Sequence, residues 1–237
     1  MDKIKLWDHQ GMALNYLEKS YSCLLWSFMG TGKTRIILEL IKQDSTLKKV
    51  LIVCPKTVID TWLKQIKKWI PTYARGELFP SIREPGEGIV IQNYESLWRG
   101  NFSKWASKQK WDLIVIDECQ NIKNPGTKVN RFCSKLGCTT TRRIAMSGTP
   151  ITDGPLDAFG IYKFLDPGIF GQSYKRFQRK YAVAVEHDNY SVIEGYRNQD
   201  DFQNCFDFLC LRINSEVLDL PPISYSTISV KMPSEAR

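Results

Sequence analysis

The feature that most constrains the fold of this chain is a glycine-containing turn between an apolar strand and an amphipathic helix. Residues 23–26 form an apolar run of strand length, and residues 35–42 carry apolar side chains at helical spacing. Between them lies the sequence SFMGTGKT, residues 27–34. Glycines let such a turn curl around an anion, and the start of the next helix adds partial positive charge. This pattern predicts a phosphate-binding loop formed by Met29, Gly30, Thr31, Gly32, Lys33 and Thr34.

Two side chains of this loop have specific predicted tasks. We expect Lys33 to reach the β- and γ-phosphates of a nucleoside triphosphate and to act in catalysis, and the Thr34 hydroxyl to hold Mg²⁺. The strict form of the motif has glycine where this chain has Ser27. The phosphate ligands remain, so a glycine-rich turn without function is the less favoured interpretation.

A second apolar run, residues 113–116, ends in two carboxylates, Asp117 and Glu118. Ligands of open α/β sheets bind at the carboxyl ends of the strands. We therefore expect Asp117 to hold Mg²⁺, directly or through water, and Glu118 to orient and deprotonate an attacking water. A solvated strand end explains an isolated Asp-Glu pair equally well, but the phosphate loop favours the catalytic interpretation.

Five short apolar runs alternate with helical patterns and predict an α/β fold. They span residues 23–26, 50–54, 88–92, 113–116 and 144–146. Non-alternating strands separated by helices are typical of a parallel sheet covered on both faces. We assign residues 1–155 to this domain and residues 156–237 to a mainly helical extension. Within the extension, residues 186–200 are expected to form a loop or hairpin and residues 202–211 a helix.

Composition and charge narrow the partners. The chain has 237 residues and a formal net charge of +8, which favours a polyanionic partner, although a basic surface also confers solubility. No apolar run is long enough to span a membrane, and no signal peptide is evident, so we expect an intracellular protein. Seven irregularly spaced cysteines with only two histidines predict reduced thiols and no structural metal.

Several stretches resemble helicase superfamily two. The tetrad DECQ, residues 117–120, is similar to the Asp-Glu-x-His/Gln box of that superfamily, and residues 121–125 resemble its Swi/Snf branch. Residues 6–10 resemble the glutamine motif, which implies that Gln10 reads adenine and that the nucleotide is ATP. Residues 146–150 are similar to motif III, which implies that Ser147 and Thr149 couple the ATP state to the grip on DNA. The resemblance implies that Gln120 is a catalytic residue and shares in this coupling.

The resemblance also covers the nucleic-acid side and the chain end. Residues 51–55 are similar to motif Ia and residues 91–97 to the next motif that contacts DNA. Residues 211–213 resemble the exit segment of the family, although isoleucine follows Arg212 where a second arginine is common. The nucleic-acid contacts implied by these motifs are Pro55, Lys56, Thr57, Asn93 and Tyr94.

As a whole, the resemblance implies a RecA-like P-loop NTPase fold and an ATP-driven translocase acting on double-stranded DNA. It also implies a second motor lobe that is absent from this chain, so we expect little hydrolysis by the fragment alone. Residues 233–237 have the composition of a helix start, with Ser234 as its N-cap, so we expect the polypeptide to continue.

Two other functions stay open. One is a strand-separating helicase on DNA or RNA, and the other is a DNA-binding scaffold with a vestigial ATP site. Most tryptophans are expected in the core rather than stacked on bases. The basic cluster of Lys175, Arg176, Arg179 and Lys180 predicts either nucleic-acid contacts or a solvated helix face.

Overall fold

The structure is a computed structural model that describes residues 5–71, 77–78, 88–187, 190–219 and 226. One sheet organises these residues, and all its strand pairings are parallel. Its strands are β1 (Ser22–Ser27), β2 (Lys49–Cys54), β3 (Glu77–Leu78), β4 (Gly88–Asn93), β5 (Leu113–Asp117), β6 (Arg142–Ser147) and β9 (Cys210–Ile213). The strand order is β3-β4-β2-β5-β6-β1-β9.

Helices lie between these strands and cover both faces of the sheet. They are α1 (Asp8–Lys19), α2 (Lys33–Gln43), α3 (Ile59–Trp69), α4 (Tyr94–Leu97), α5 (Gly100–Ala106), α6 (Lys128–Gly137), α7 (Ala158–Leu165), α8 (Pro167–Phe170), α9 (Tyr174–Tyr181) and α10 (Gln199–Asp207). Among the described residues, none of these helices is long and apolar enough to cross a bilayer.

Alternate side chains of β1, β2, β4, β5 and β6 belong to two separate hydrophobic cores. In β1, Leu24 belongs to one core, whereas Cys23 and Leu25 belong to the other. The first core includes apolar side chains of α4 to α7 and α10, and the second includes those of α1, α2 and α3. The predicted parallel α/β sheet with helices on both faces is confirmed.

The C-terminal extension differs from its prediction at one place. The helix predicted over residues 202–211 ends at Asp207, and residues Cys210–Ile213 form the edge strand β9. Leu24 pairs with Cys210 and Ser27 with Ile213, so β9 extends the main sheet beside β1. The helical spacing of Phe202 and Phe206 does not show where the helix ends. The chain leaves the helix to pair with the edge of β1, and that edge lies far away in sequence.

Among the residues that the structure describes, the rest of the extension is mainly helical apart from one hairpin. The polar stretch at residues 186–200 falls largely in an antiparallel hairpin, β7 (Ala182–His187) with β8 (Tyr190–Tyr196). Aromatic rings of α8, α9 and α10 stack together, with Phe170 and Phe202 parallel at 5.4 Å between centroids. The helix start predicted at residues 233–237 lies outside the described residues.

Helix α7 approaches the segment after Glu118 so closely that only glycine fits. A Cβ on Gly160 would lie 2.2 Å from the Lys123 carbonyl oxygen and 2.3 Å from that of Ile122. The fully buried Asn130 closes this contact, since its side-chain amide donates to the carbonyls of Ile122 at 2.6 Å and Gly160 at 2.9 Å.

We predict that Gly160→Ala lowers the free energy of unfolding by about 3 kcal/mol, because the added methyl would force two backbone segments apart. Urea denaturation followed by circular dichroism measures this loss. Gly11→Ala is the matched control, since a Cβ at Gly11 in α1 would meet nothing within 4 Å. Equal stabilities of the two variants would contradict the close approach of α7.

Candidate functional site

The turn between β1 and α2 has the backbone that its sequence predicts. Gly30 and Gly32 both have φ of +85°, a left-handed conformation that glycine adopts without steric cost. Thr31 between them is fully buried. Its Oγ1 lies 2.5 Å from Ser27 Oγ and donates to the Phe28 carbonyl at 2.7 Å. The Thr31 hydroxyl therefore fixes the shape of the loop from within, rather than facing a ligand.

Helix α1 holds the same loop from the outside. Gln10 Nε2 donates to the Thr31 carbonyl at 3.0 Å, and Gln10 Oε1 accepts from the backbone N–H of Trp7 at 3.1 Å. The ring nitrogen Nε2 of His9 lies 2.9 Å from the same Thr31 oxygen. A Cβ on Gly32 would lie only 2.4 Å from Gln10 Nε2. Gln10 thus braces the loop, and its reading of adenine stays a prediction.

The carboxylate of Asp117 lies at the tip of β5 and is only 8 % exposed. Burial raises the pKa of Asp117 to about 6, and a hydrogen bond from Trp62 opposes that rise. Trp62 Nε1 donates to Asp117 Oδ2 at 2.8 Å. The next residue, Glu118, has a φ of 55°, which is uncommon for a residue with a side chain.

The loop and the two carboxylates meet at one edge of the sheet. Met146 in β6 pairs with Asp117 on one side and with Leu25 on the other, so β5 and β1 end together. The Lys33 ammonium lies at this edge and donates to the Ser27 carbonyl at 2.9 Å. Burial lowers the pKa of Lys33, and the carboxylates of Glu118 and Asp117 counteract that effect. The predicted convergence of the two elements is present in the structure.

The residues at this edge fit a magnesium-bound triphosphate. The left-handed glycines leave the backbone of the turn open to phosphate oxygens, and Lys33 offers a cation. Thr34 in the first turn of α2 and Asp117 offer a hydroxyl and a carboxylate, the hard oxygen ligands that Mg²⁺ prefers. Within the described ranges, no group of three or more His, Cys, Asp or Glu side chains forms another metal site.

A chain of hydrogen bonds connects Glu118 with the loop after β6. Gln120 Nε2 donates to Glu118 Oε2 at 2.9 Å, and Ser147 Oγ donates to Gln120 Oε1 at 2.7 Å. The backbone N–H of Thr149 in turn donates to Ser147 Oγ at 2.9 Å. The residues predicted to couple the nucleotide state to the rest of the protein are thus in direct contact.

The residues predicted to contact nucleic acid follow two adjacent strands. Cys54 of β2 pairs with Asn93 of β4, so the segments after these strands emerge side by side at the same edge as the phosphate loop. Lys56 and Thr57 are exposed in a short 3-10 helix, Lys56–Val58, and Pro55 and Asn93 are half-buried.

Tyr94 lies elsewhere than the sequence predicts. Its side chain is 6 % exposed, and its hydroxyl donates to the Asp117 carbonyl at 2.5 Å. A buried ring with an engaged hydroxyl cannot lie on a nucleic-acid strand, so we remove Tyr94 from the candidate interface. The reason for this difference is burial in the core between the sheet and its covering helices, which the local sequence does not show.

Two tryptophans at the site make contacts that their sequence pattern does not predict, since Trp62 is expected in the core and Trp26 in an apolar strand. Trp62 is 1 % exposed and does belong to the core, but its indole N–H also holds Asp117. Trp26 Nε1 donates to the Gly148 carbonyl at 3.0 Å and so holds the loop that contains Ser147. No signal in the sequence identifies these partners, because each lies 55 or more positions away.

The basic cluster of α9 is placed on the surface. Lys175, Arg176, Arg179 and Lys180 are all exposed, and Lys180 Nζ lies 2.7 Å from Asp201 Oδ2. The helix presents a solvated positive face, and its contact with nucleic acid stays a prediction.

We predict that Asp117→Asn stabilises the folded protein at pH 8 in magnesium-free buffer. An aspartate whose pKa is raised to about 6 contributes stability below its unfolded pKa, and this contribution is lost as the pH rises through 6. The loss amounts to about 3 kcal/mol at most. The neutral amide avoids this cost and can still accept from Trp62.

Denaturation curves of both proteins at pH 8 and pH 5 measure the effect. The advantage of the variant should shrink towards pH 5, where the wild-type carboxyl is mostly protonated in the folded state. An advantage that does not change with pH, or a variant less stable at pH 8, would contradict the desolvation of Asp117.

Comparisons with known proteins agree with this geometry. Among curated relatives, Zorya protein ZorD of Escherichia coli is 25% identical over 79% of this chain and 21% of its own length. Protein CHROMATIN REMODELING 25 of Arabidopsis thaliana is 30% identical over 69% of this chain and 20% of its own. The chain therefore spans about a fifth of these relatives.

A solved structure and a family model give the same answer. The Sulfolobus solfataricus SWI2/SNF2 ATPase core in complex with dsDNA matches with a TM-score of 0.76 and 28% identity, over 92% of this chain and 47% of that one. This match confirms the RecA-like fold implied by the motifs. The model of the SNF2-related domain matches residues 9–237. The resemblance to the Swi/Snf branch is thereby confirmed, and the chain belongs to the SNF2-related domain family.

Proposed function

We propose that this chain is the ATP-binding lobe of an ATP-dependent translocase or remodeller that acts on double-stranded DNA. One observation carries the proposal: the phosphate loop, the Asp117–Glu118 pair and the exposed Lys56 and Thr57 all lie at one edge of a single parallel sheet. A shared edge lets one lobe hold a nucleotide and a nucleic-acid strand at the same time.

In this proposal the loop holds ATP through its backbone and through Lys33. The ammonium of Lys33 leaves the Ser27 and Phe28 carbonyls, to which it donates at 2.9 and 3.4 Å, and turns to the β- and γ-phosphates. The main role of Gln10 is to hold the conformation of the loop through its hydrogen bond to the Thr31 carbonyl. Bound ATP with Mg²⁺ supplies a γ-phosphoryl group whose negative charge is partly neutralised. Thr34 and Asp117 are the residues that would hold the metal.

Glu118 is the proposed general base for the attacking water. Its Oε2 accepts from Gln120 Nε2 at 2.9 Å, and Ser147 Oγ lies 3.3 Å from the same oxygen. These contacts orient the carboxylate and connect its state to Thr149 on the next loop. A change at the γ-phosphate can therefore reach the loop after β6 without a large movement of the sheet.

Duplex DNA is the nucleic acid that we favour. The chain carries a net charge of +8, and a protein that tracks a duplex contacts phosphates through such basic groups. The matching archaeal core is described in complex with dsDNA. This chain covers 47% of that core, which fits a second lobe that completes the ATPase site and half of the DNA track.

We predict that Lys33→Ala weakens ATP binding by this chain at least tenfold, because a charge-assisted contact with the phosphates contributes about 1.5–3 kcal/mol. Isothermal titration calorimetry with Mg²⁺ and a non-hydrolysable ATP analogue measures the affinity. Lys42→Ala is the matched control, since Lys42 is exposed at the far end of the same helix. Equal affinities of the two variants would contradict the assignment of the loop.

The choice of nucleic acid is tested by ATP turnover of the whole protein that contains this domain. Duplex DNA is expected to raise kcat more than single-stranded DNA or RNA of equal length. Greater stimulation by single strands would favour a strand-separating helicase. Absence of turnover with every nucleic acid, despite ATP binding, would favour a DNA-binding scaffold.

A further inference from the structure

Tyr94 occupies an unusual position between the two halves of the candidate site. It is the first residue of α4 and directly follows Asn93, the half-buried residue predicted to contact nucleic acid. Its hydroxyl donates to the main-chain carbonyls of Asp117 at 2.5 Å and Glu118 at 3.2 Å. One side chain therefore joins the nucleic-acid side of the lobe to the backbone that carries both carboxylates.

The backbone at the receiving end is held in a conformation that needs support. Glu118 has φ 55° and ψ 58°, in the left-handed region, where a residue with a side chain is disfavoured by about 1 kcal/mol or more. Its carbonyl accepts from Tyr94 and, at 2.8 Å, from the Asn121 side-chain amide. These hydrogen bonds fix the peptide from which the Glu118 carboxylate projects.

The donating end is well suited to a permanent contact. Burial raises the pKa of Tyr94 well above its ordinary value, so the phenol keeps its proton and its role as a donor. Asn93 caps α4, since its Oδ1 accepts from the backbone N–H of Ser96 at 3.4 Å. A shift of Asn93 is thus passed to α4 and to the Tyr94 ring that begins it.

A second link of the same kind comes from the neighbouring segment. Helix α3 begins at Ile59, two residues after the exposed Thr57, and its Trp62 donates to the Asp117 carboxylate at 2.8 Å. Both segments that follow β2 and β4 at the candidate interface therefore send one hydrogen bond to the tip of β5.

We propose that Tyr94 is a positioning residue that transmits contact of nucleic acid at Asn93 to the backbone of Asp117 and Glu118. DNA bound at this edge holds α4 in place, and the Tyr94 hydroxyl then holds the peptide that aims the Glu118 carboxylate at the water. This inference rests on the proposed ATP-dependent action on DNA. It assigns to Tyr94 a part of the stimulation by DNA rather than a contact with DNA.

Tyr94→Phe in the whole protein tests the proposal, because it removes only the hydroxyl. We expect the DNA-stimulated kcat to fall about five- to tenfold, the effect of one hydrogen bond on a barrier. The KM for ATP and the Kd for duplex DNA should stay within about twofold of wild type, since Tyr94 touches neither ligand. A general loss of folded protein would lower the basal and the DNA-stimulated kcat by the same factor, so a fall in the ratio of stimulated to basal kcat separates this role from a loss of stability.

Tyr162→Phe is the matched control. The Tyr162 hydroxyl is also buried and donates to a backbone carbonyl, that of Phe206, outside the site. Its removal should cost similar stability and leave the stimulated kcat unchanged. An unchanged kcat in Tyr94→Phe, or equal losses in both variants, would overturn the role of Tyr94 while leaving the proposed function intact. Wild-type protein without stimulation by DNA would instead overturn the proposed function and this inference with it.

Hydrogen exchange of the unmodified protein gives a second test that does not depend on any variant. Binding of duplex DNA should slow the exchange of the backbone amides of residues 117–121, where the Tyr94 hydroxyl donates to the carbonyls of Asp117 and Glu118. Unchanged exchange of this segment, at DNA concentrations that slow exchange at the amides of residues 56 and 57, would overturn the link.

Discussion

The parallel arrangement of the strands is the constraint on which every other feature of this site depends. Residues with chemical functions follow β1, β2, β4, β5 and β6, and parallel pairing brings the carboxyl ends of these strands to one edge. Met146 pairs with strands on both sides, so Asp117 and the phosphate loop are separated by two strand spacings, about 10 Å. A triphosphate with its metal can bridge that gap.

Several groups of the site occupy positions that are energetically unfavourable for them. Asp117 is buried, Glu118 has a left-handed backbone, and the cation of Lys33 is partly desolvated. Donors from distant elements hold the two acidic residues. Trp62 donates to the carboxylate of Asp117, and Tyr94 donates to the main-chain carbonyls of Asp117 and Glu118. The site destabilises the fold, and the two hydrophobic cores compensate for this loss, as is common for catalytic sites.

Local patterns in the sequence predict most helices and strands and the phosphate loop, but they do not predict the contacts between these elements. Helix α2, predicted from residues 35–42, and the apolar strands could be predicted because spacing and residue type are local properties. Strand β9 could not, since it depends on an edge of β1 almost 190 positions earlier. The same holds for Tyr94. Its motif predicts a contact with DNA, whereas its hydroxyl donates to the carbonyl of Asp117, 23 positions later. Motifs identify the residues that have a function, whereas the arrangement of the strands determines what each of these residues contacts.

The account stands on the convergence of the glycine turn and the Asp117–Glu118 tip on one magnesium-bound nucleotide. A crystal structure of the chain with Mg²⁺ and a non-hydrolysable ATP analogue tests this claim most directly. We predict that the phosphates lie against the backbone of residues 30–34, with the metal between the Thr34 hydroxyl and the Asp117 carboxylate. A nucleotide bound elsewhere, or a metal bound without either residue, would contradict the account.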